Sequence, residues 1–264
     1  MKTSHLMLIS IAAAFPTTCL AQSAFVGTWK ADINNNLQLP KKPNEYLLRG
    51  GVYHCRTCAP PWSVKADGED HPVSGHPYFD TVAIKVVDDH TVQEVDKKGG
   101  KPVTTTTFSV SADGKSATLD VSDSSASNAD PVKVKGEATR VRPGPAGAHA
   151  VSGAWRTTRF DMVSDNGLMT TWSLSGDTLK MSTPTGQSYA APLDGTDSPF
   201  VGDPGQSSIS LKKIDERTID ETDRRQGKVI GTSRMTASAD GKTIHVEWKD
   251  LLHGTSGSVN LIKQ

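Results

Sequence analysis

The sequence predicts an all-β protein that contains two tandem antiparallel β-barrels after a signal peptide. Motifs recur 127 positions apart: Asp67-Gly68 returns as Asp194-Gly195, and Asp113-Gly114 returns as Asp240-Gly241. A repeat of this length corresponds to a whole domain rather than to a solenoid module. Within each copy, short runs alternate apolar and polar residues between turn signals, which is the period of a half-buried strand.

Residues 1–21 have the pattern of a secretory signal peptide. Lys2 gives a basic start, residues 6–15 form an apolar centre, and Cys19-Leu20-Ala21 is a small-x-small cleavage site. The alternative is a buried first strand or helix. No later apolar run is long enough to cross a bilayer. We therefore expect a periplasmic or secreted protein without a transmembrane segment.

The two copies are predicted to occupy residues 24–142 and 150–264, joined by a linker at 143–149. Each copy opens with a Gly-x-Trp tripeptide, Gly27-Thr28-Trp29 in copy one and Gly153-Ala154-Trp155 in copy two. The linker is rich in Pro and Gly and has no apolar periodicity, as expected of a joint between domains.

Hairpin signals divide each copy into short strands. Val82, Ile84 and Val86 share one face of a predicted strand, and Asp113-Gly114 joins two alternating runs, which is a strong hairpin signal. No segment has the pattern of a capped amphipathic helix. About seven or eight strands per copy is the size of a small closed antiparallel barrel.

The charge of the chain argues against two classes of partner. Removal of residues 1–21 leaves 28 bases and 29 acids, a formal charge of −1. Neither copy carries a block of charge of one sign. Nucleic acid and anionic membrane surfaces are therefore poor candidates as partners.

The Gly-x-Trp tripeptides at the start of both copies resemble the first strand of the lipocalin-like (calycin) superfamily. That resemblance implies that each Trp plugs one end of its barrel and packs against a basic residue from the last strand. Trp29 would then meet Arg140 or Arg142, and Trp155 would meet Lys263. The whole chain also looks like exported bacterial proteins of unknown function with paired lipocalin-like repeats, a resemblance that brings no catalytic residues.

Cys55 and Cys58 are the two cysteines that remain after cleavage. In an oxidising compartment such a pair favours a disulfide that staples a loop. A redox pair is a second reading, although Pro60 follows and no helical pattern does. A metal site is a third, with His54 and either His71 or His76 as further ligands. We expect the disulfide, and no metal or other cofactor.

Candidate ligand-binding residues are aromatic side chains and two histidines. The aromatic residues are equally suited to core packing, and the histidines flank a turn that could mark a ligand mouth on copy one. The candidates are Trp62, His71, His76, Trp172, Tyr189 and Trp248.

Two acid pairs lie at alternate positions of predicted strands, Glu94 with Asp96 and Glu221 with Asp223. Each pair projects from one face and could line a polar pocket. Their place just before a turn favours exposure to solvent instead.

These observations predict an exported, non-catalytic binding protein for a small apolar ligand or an envelope component. An eight-stranded barrel is just wide enough to be packed solid or to hold one small ligand. The alternatives are a structural or protein-interaction module with filled barrels, and a metal or redox protein built on the Cys55–Cys58 loop. No nucleophile elbow or phosphate loop indicates an enzyme, and the oligomeric state is left open.

Overall fold

The predicted all-β fold is confirmed in a computed structural model, which describes residues 24–125 and 130–264. The predicted signal peptide, residues 1–21, lies outside the described residues. The described part contains twenty strands and one short 3-10 helix, Asp165–Gly167, but no α-helix. No helix of that part is long and apolar enough to cross a membrane.

The strands of the first half are β1 (Gly27–Asp32), β2 (Asn44–Arg49), β3 (Val52–Cys55), β4 (Trp62–Lys65), β5 (Asp70–Pro72), β6 (Thr81–Val86), β7 (Thr91–Lys98), β8 (Lys101–Val110), β9 (Ser116–Asp123) and β10 (Val132–Pro143). Those of the second half are β11 (Gly153–Val163), β12 (Met169–Ser175), β13 (Thr178–Ser182), β14 (Ser188–Pro192), β15 (Asp194–Val201), β16 (Ser208–Asp215), β17 (Thr218–Arg225), β18 (Lys228–Ala237), β19 (Thr243–Asp250) and β20 (Thr255–Lys263).

The strands form two ten-stranded antiparallel sheets, each shaped as a barrel. The first barrel has the order β4-β3-β2-β11-β10-β9-β8-β7-β6-β5, and its edge strands leave a seam where β4 lies against β6. The second barrel is closed and consists of β1 followed by β12 to β20.

The two copies exchange their first strands. Strand β1, from copy one, pairs with β12 and β20 of the second barrel, and β11, from copy two, pairs with β10 and β2 of the first. Each barrel therefore combines strands from both predicted segments, 24–142 and 150–264. The reason is the short connection after β10: Pro143 lies opposite Gly153, so the two consecutive strands pair with each other.

Each exchanged strand carries its tryptophan into the other copy's core. The indole nitrogen of Trp29 donates to Phe25 O at 2.8 Å, and that of Trp155 donates to Val151 O at the same distance. Both rings are almost completely buried. The two tryptophans thus make equivalent contacts, one in each barrel.

The basic partners of the tryptophans are exchanged as well. The Arg140 guanidinium carbon lies 4.0 Å from the centroid of Trp155, and Lys263 Nζ lies 5.3 Å from that of Trp29. The resemblance implied the opposite pairs, so that expectation is wrong. Arg142 covers neither ring and instead forms an exposed ion pair with Glu45. A basic residue stacks on each Trp, as expected, but it comes from the other copy of the repeat.

The glycine of each Gly-x-Trp has a backbone conformation that L residues rarely adopt. Gly27 has φ of 136° and Gly153 has φ of 137°. A Cβ on Gly153 would lie 2.5 Å from Arg142 O. A side chain here would push β11 away from β10, which explains the need for glycine.

The tryptophans mark one end of each barrel, called here the closed end. In the first barrel, Arg140 anchors this end by donating to Gly114 O, Ser152 O and Ala150 O. Strands β3, β7 and β9 run away from it, because they alternate in direction with β2, β8 and β10. The opposite end, called the open end, therefore carries the last residues of β3, β7 and β9 and the first residues of β4 and β8.

Candidate functional site

The acid pair of β7 points into the first barrel. Glu94 lies opposite Ile84 and Asp96 lies opposite Val82, and directly opposed residues share a face of the sheet. Both aliphatic side chains are fully buried, and Asp96 is only 8% exposed. The preferred reading, that these acids face solvent, is wrong. The strand ends only at Lys98, so the turn does not bring them to the surface.

The second barrel repeats this arrangement. Glu221 lies opposite Leu211 and Asp223 lies opposite Ile209. Both partners belong to the buried core of that barrel. Each barrel therefore encloses two carboxyl groups at alternate positions of one strand.

Burial raises the pKa of all four carboxyls above their ordinary values. It raises the pKa of Asp96 to about 7, with a further contribution from the charge of Asp123, while a hydrogen bond with Glu94 opposes the rise. The pKa of Glu94 is raised well above its usual value by burial, by the charge of Asp96 and by the hydrogen bond between them. In the second barrel, burial and Asp223 raise the pKa of Glu221 to about 8.

Three buried side-chain polar atoms in the described residues have no hydrogen-bond partner in the protein: Trp62 Nε1, His76 Nε2 and Asp96 Oδ1. All three belong to the first barrel or its loops. Buried polar groups are almost always satisfied, so each one calls for an explanation such as an ordered water or a ligand. Trp62, like Asp96, is only 8% exposed.

The unpartnered groups of Trp62 and Asp96 lie toward the same end of the first barrel. Trp62 begins β4 and is paired with Cys55, the last residue of β3. Asp96 lies near the end of β7, opposite Thr104 at the start of β8. A shared neighbour brings the two groups together: the Tyr53 ring contacts Trp62 at 5.7 Å between centroids, and the charge of Asp96 contributes to the raised pKa of Tyr53.

The equivalent groups of the second barrel are satisfied within the protein. Gln206 Nε2 donates to Asp223 Oδ1 at 2.6 Å, and Ser233 Oγ donates to Glu221 Oε1 at 3.2 Å. The indole nitrogen of Trp172 donates to Tyr189 Oη at 3.0 Å. The two barrels therefore share a plan but differ in how their interior polar groups are paired.

The two barrels differ in how far side chains fill one row of inward-facing positions. In the second barrel, Trp248 lies opposite Gly257, and a Cβ on that glycine would lie 2.5 Å from the Trp248 ring. The indole thus occupies the space that the glycine leaves. In the first barrel the corresponding positions hold the smaller Val121 opposite Val134. The rows are Glu94, Thr106, Val121 and Val134 in the first barrel, and Glu221, Ser233, Trp248 and Gly257 in the second.

Aromatic rings line the inner face of the first barrel beside the acids. The Tyr46 ring stacks on Tyr53 at 6.0 Å between centroids and meets the edge of Phe108 at 5.9 Å. Tyr53 contacts Trp62 at 5.7 Å. Burial and the charge of Glu94 raise the pKa of both tyrosines, so the phenols stay protonated. These four rings are called the aromatic wall below.

Residues 73–80 connect β5 to β6 at the open end. Val73 and Phe79 pack against the core of the first barrel, and the His76 ring stacks on Phe79 at 4.6 Å. Tyr78 Oη donates to Asp203 Oδ1 of copy two at 2.8 Å. This loop thus covers the open end and links it to the second copy.

The predicted Cys55–Cys58 disulfide is present, with an S–S distance of 1.98 Å. Because the sulfurs bond each other, they are not free to ligate a metal together with His54 and His71. His71 instead contacts Asp67 Oδ1 at 2.8 Å. Among the described residues, no group of three or more His, Cys, Asp or Glu side chains is placed to hold a metal ion.

The six predicted ligand residues do not form a single site. Trp62 and His76 lie at the open end of the first barrel, and His71 is hydrogen-bonded on its surface. The other three, Trp172, Tyr189 and Trp248, belong to the second barrel. The buried acids are not among the residues that the sequence predicts to bind a ligand. Their recurrence at alternate strand positions in both copies is the signal that could have identified them.

A wide groove lies along β17 to β20, and its lining combines polar residues of the outer face with Glu221 and Trp248 of the inward row. It has a volume of about 1140 Å³ and is bordered by the Gln38–Lys42 segment. The ion pair between Arg234 and Asp220 neutralises charge at its floor. The groove has no buried polar group without a partner, in contrast to the first barrel.

Comparison with known proteins does not assign the chain. No protein-family model matches it, and no curated protein has significant sequence similarity to it. The two barrel-like sheets are consistent with a lipocalin-like double-barrel fold. The functional argument therefore rests on the interior of the barrels.

Proposed function

We propose that this is an exported, non-catalytic binding protein of the lipocalin-like type, whose small-molecule ligand occupies the interior of the first barrel. The observation that carries the proposal is the pair of unpartnered groups at the open end, Trp62 Nε1 and Asp96 Oδ1. A ligand that accepts one hydrogen bond and donates another would satisfy both, and pockets of this kind combine apolar walls with a few placed polar groups.

The ligand has both an apolar and a polar part. The aromatic wall supplies apolar contact area, as expected for the small apolar ligand that the fold class implies. The acids Glu94 and Asp96 lie on the same inner surface, and a purely apolar molecule would leave Asp96 unsatisfied. The proposed ligand is therefore amphipathic rather than simply apolar.

The second barrel has a structural role in this proposal. Its interior polar groups are paired with Gln206, Ser233 and Tyr189, and Trp248 fills the space beside Gly257. It also receives β1, so it holds the first strand of the described residues. The second barrel therefore agrees with the alternative prediction, a structural or protein-interaction module with a filled barrel.

Native mass spectrometry of the protein purified from its own host tests the proposal. We expect a retained small molecule in the wild type. The variant Val121→Trp with Val134→Gly copies the Trp248–Gly257 pair into the first barrel and should lose that molecule. Val134→Gly alone is the matched control and should retain it. A wild type that is free of any small molecule, or a filled variant that retains it, would contradict the proposed site.

A further inference from the structure

The carboxyls inside the first barrel are not balanced by any base. Glu94, Asp96 and Asp123 come from β7 and β9, and their positions share the inner face through Thr104 and Thr106. Among the described residues, no Lys, Arg or His forms an ion pair with any of these three acids. Acids enclosed without a basic partner are costly to ionise, because a buried charge needs pairing.

The acid pair is not fully closed over by protein. Glu94 is half-buried, although it lies opposite the fully buried Ile84. In the second barrel Trp248 stands in the same row, two strands from Glu221, where the first barrel has Val121.

The aromatic wall is suited to a positive group. Tyr46, Tyr53 and Trp62 form a continuous series of ring contacts, and the faces of such rings attract cations, most strongly when water is excluded. Tyrosine and tryptophan rings beside a carboxyl are a recurring environment for organic ammonium groups. Metal ions are a poorer match, because no group of three ligands is assembled in the described residues.

We propose that the first barrel binds an organic cation, an alkyl or arylalkyl amine, whose ammonium group pairs with Asp96 and Glu94 while its apolar body lies on the aromatic wall. This inference rests on the proposed function and narrows its ligand class. The Trp62 indole N–H then donates to an acceptor atom on the ligand or to a water carried with it. An anionic ligand would add a further negative charge beside the two acids, which is unfavourable.

Binding of a cation is coupled to proton release. Around the acid pair, Asp123 from β9 and Tyr53 from β3 face Asp96, and Tyr46 from β2 faces Glu94. Strand β6 contributes apolar residues and β8 contributes threonines. Because the pKa of Asp96 is about 7 without a cation, an ammonium ion must displace a proton below that pH. Affinity should fall about tenfold per pH unit below the pKa and level off above it.

The experiment is calorimetry at pH 8 and pH 6 with three probes of similar size: phenethylamine, 2-phenylethanol and phenylacetate. We expect the amine to bind about tenfold or more tightly than the alcohol, with phenylacetate weakest. At pH 6, titrations in phosphate and in MES, two buffers with different ionisation enthalpies and no net positive charge, should differ in heat by the release of up to one proton per amine bound. This comparison needs only the wild-type protein.

Two isosteric variants locate the interaction. Asp96→Asn should lower the affinity for the amine about tenfold and abolish the proton release at pH 6. Asp223→Asn, the matched change in the second barrel, should leave both unchanged. Thermal melts of both variants establish that each is folded.

The remaining outcomes separate the two proposals. If the alcohol or phenylacetate binds as tightly as the amine, and Val121→Trp with Val134→Gly blocks it, the cation inference is overturned and the proposed ligand site stands. If the amine binds equally well to that filled variant, both are overturned. If no probe binds, the cation inference is overturned, and the native mass spectrum alone decides the proposed function.

Discussion

The guanidinium of Arg140 lies over the indole of Trp155, 4.0 Å from its centroid, although the two residues belong to different copies of the repeat. Arg140 comes from the last strand of copy one, and Trp155 comes from the first strand of copy two. The contact is a cation–π pair at the closed end of the first barrel. It shows that each barrel is completed by a strand of the other copy, and this has direct consequences for experiment.

The exchange predicts which fragment folds. Residues 44–163 contain every strand of the first barrel, including β11. Residues 24–142, the repeat as the sequence defines it, lack β11 and its buried Trp155. We expect cooperative urea unfolding, followed by circular dichroism, for the 44–163 fragment and no cooperative transition for the 24–142 fragment. The opposite result would show that copy one closes on its own first strand.

Loss of either tryptophan should weaken the barrel that receives it. Trp29→Ala should destabilise the second barrel and Trp155→Ala the first, each by about 3–5 kcal/mol, because a large buried ring is removed. Hydrogen exchange followed by mass spectrometry localises the effect. Trp29→Ala should speed exchange in 169–263 more than in 44–110, and Trp155→Ala should do the reverse. If each change acts on its own copy instead, the exchange of strands is contradicted.

The stability of the first barrel should fall as pH rises from about 4 to about 7. The unfolded chain gives carboxyls an ordinary pKa near 4, whereas burial raises the pKa of Asp96 to about 7 in the folded protein. The folded state therefore binds more protons over this range, and each such carboxyl lowers the free energy of unfolding by up to about 1.4 kcal/mol per pH unit. Above the raised pKa this contribution is constant.

Urea melts of the 44–163 fragment between pH 4 and pH 8 measure this slope. The double variant Glu94→Gln with Asp96→Asn carries neutral isosteres and should flatten it. Asp120→Asn, which removes an exposed carboxyl, is the control and should leave the slope unchanged. An equal slope in all three proteins would show that the buried acids do not titrate as described.

Reduction of the Cys55–Cys58 disulfide should cost little stability. The bond closes a loop of sequence separation 3, and so short a loop restrains the unfolded chain only slightly, so we expect at most about 2 kcal/mol. Urea melts with and without a reductant measure the difference, and the unreduced protein should be two hydrogens lighter. A loss of the cooperative transition on reduction would mean that the bond is essential to the fold.

The strands could be predicted from the alternation of apolar and polar residues and from turn motifs close in sequence. The alternation around Val82 and Ile84 and the Asp113-Gly114 turn each predicted the structure found there. The disulfide also followed from the small separation of Cys55 and Cys58 in a chain predicted to be exported. In these cases residues close in sequence decide the structure, so the sequence carries the information directly.

The acid pairs mark the limit of that reasoning. Alternation placed Glu94 and Asp96 on one face of a strand, but local pattern does not say whether that face is covered. Their opposition to Val82 and Ile84 depends on the pairing register of β6 and β7. Only that register, and the loop over the open end, put the carboxyls inside the barrel.

The sequence by itself determined that the chain repeats and that it is all-β, and its resemblance to the lipocalin-like superfamily implied that a Trp with a basic partner closes each barrel. The tertiary structure alone decided which strand completes which barrel. Repeated strands such as β1 and β11 carry the same Gly-x-Trp pattern and fit the same edge, so their sequences cannot distinguish the two barrels. The choice follows from chain connectivity: the short connection from Pro143 to Gly153 pairs β11 with β10, and β1 fills the place left beside β12 and β20.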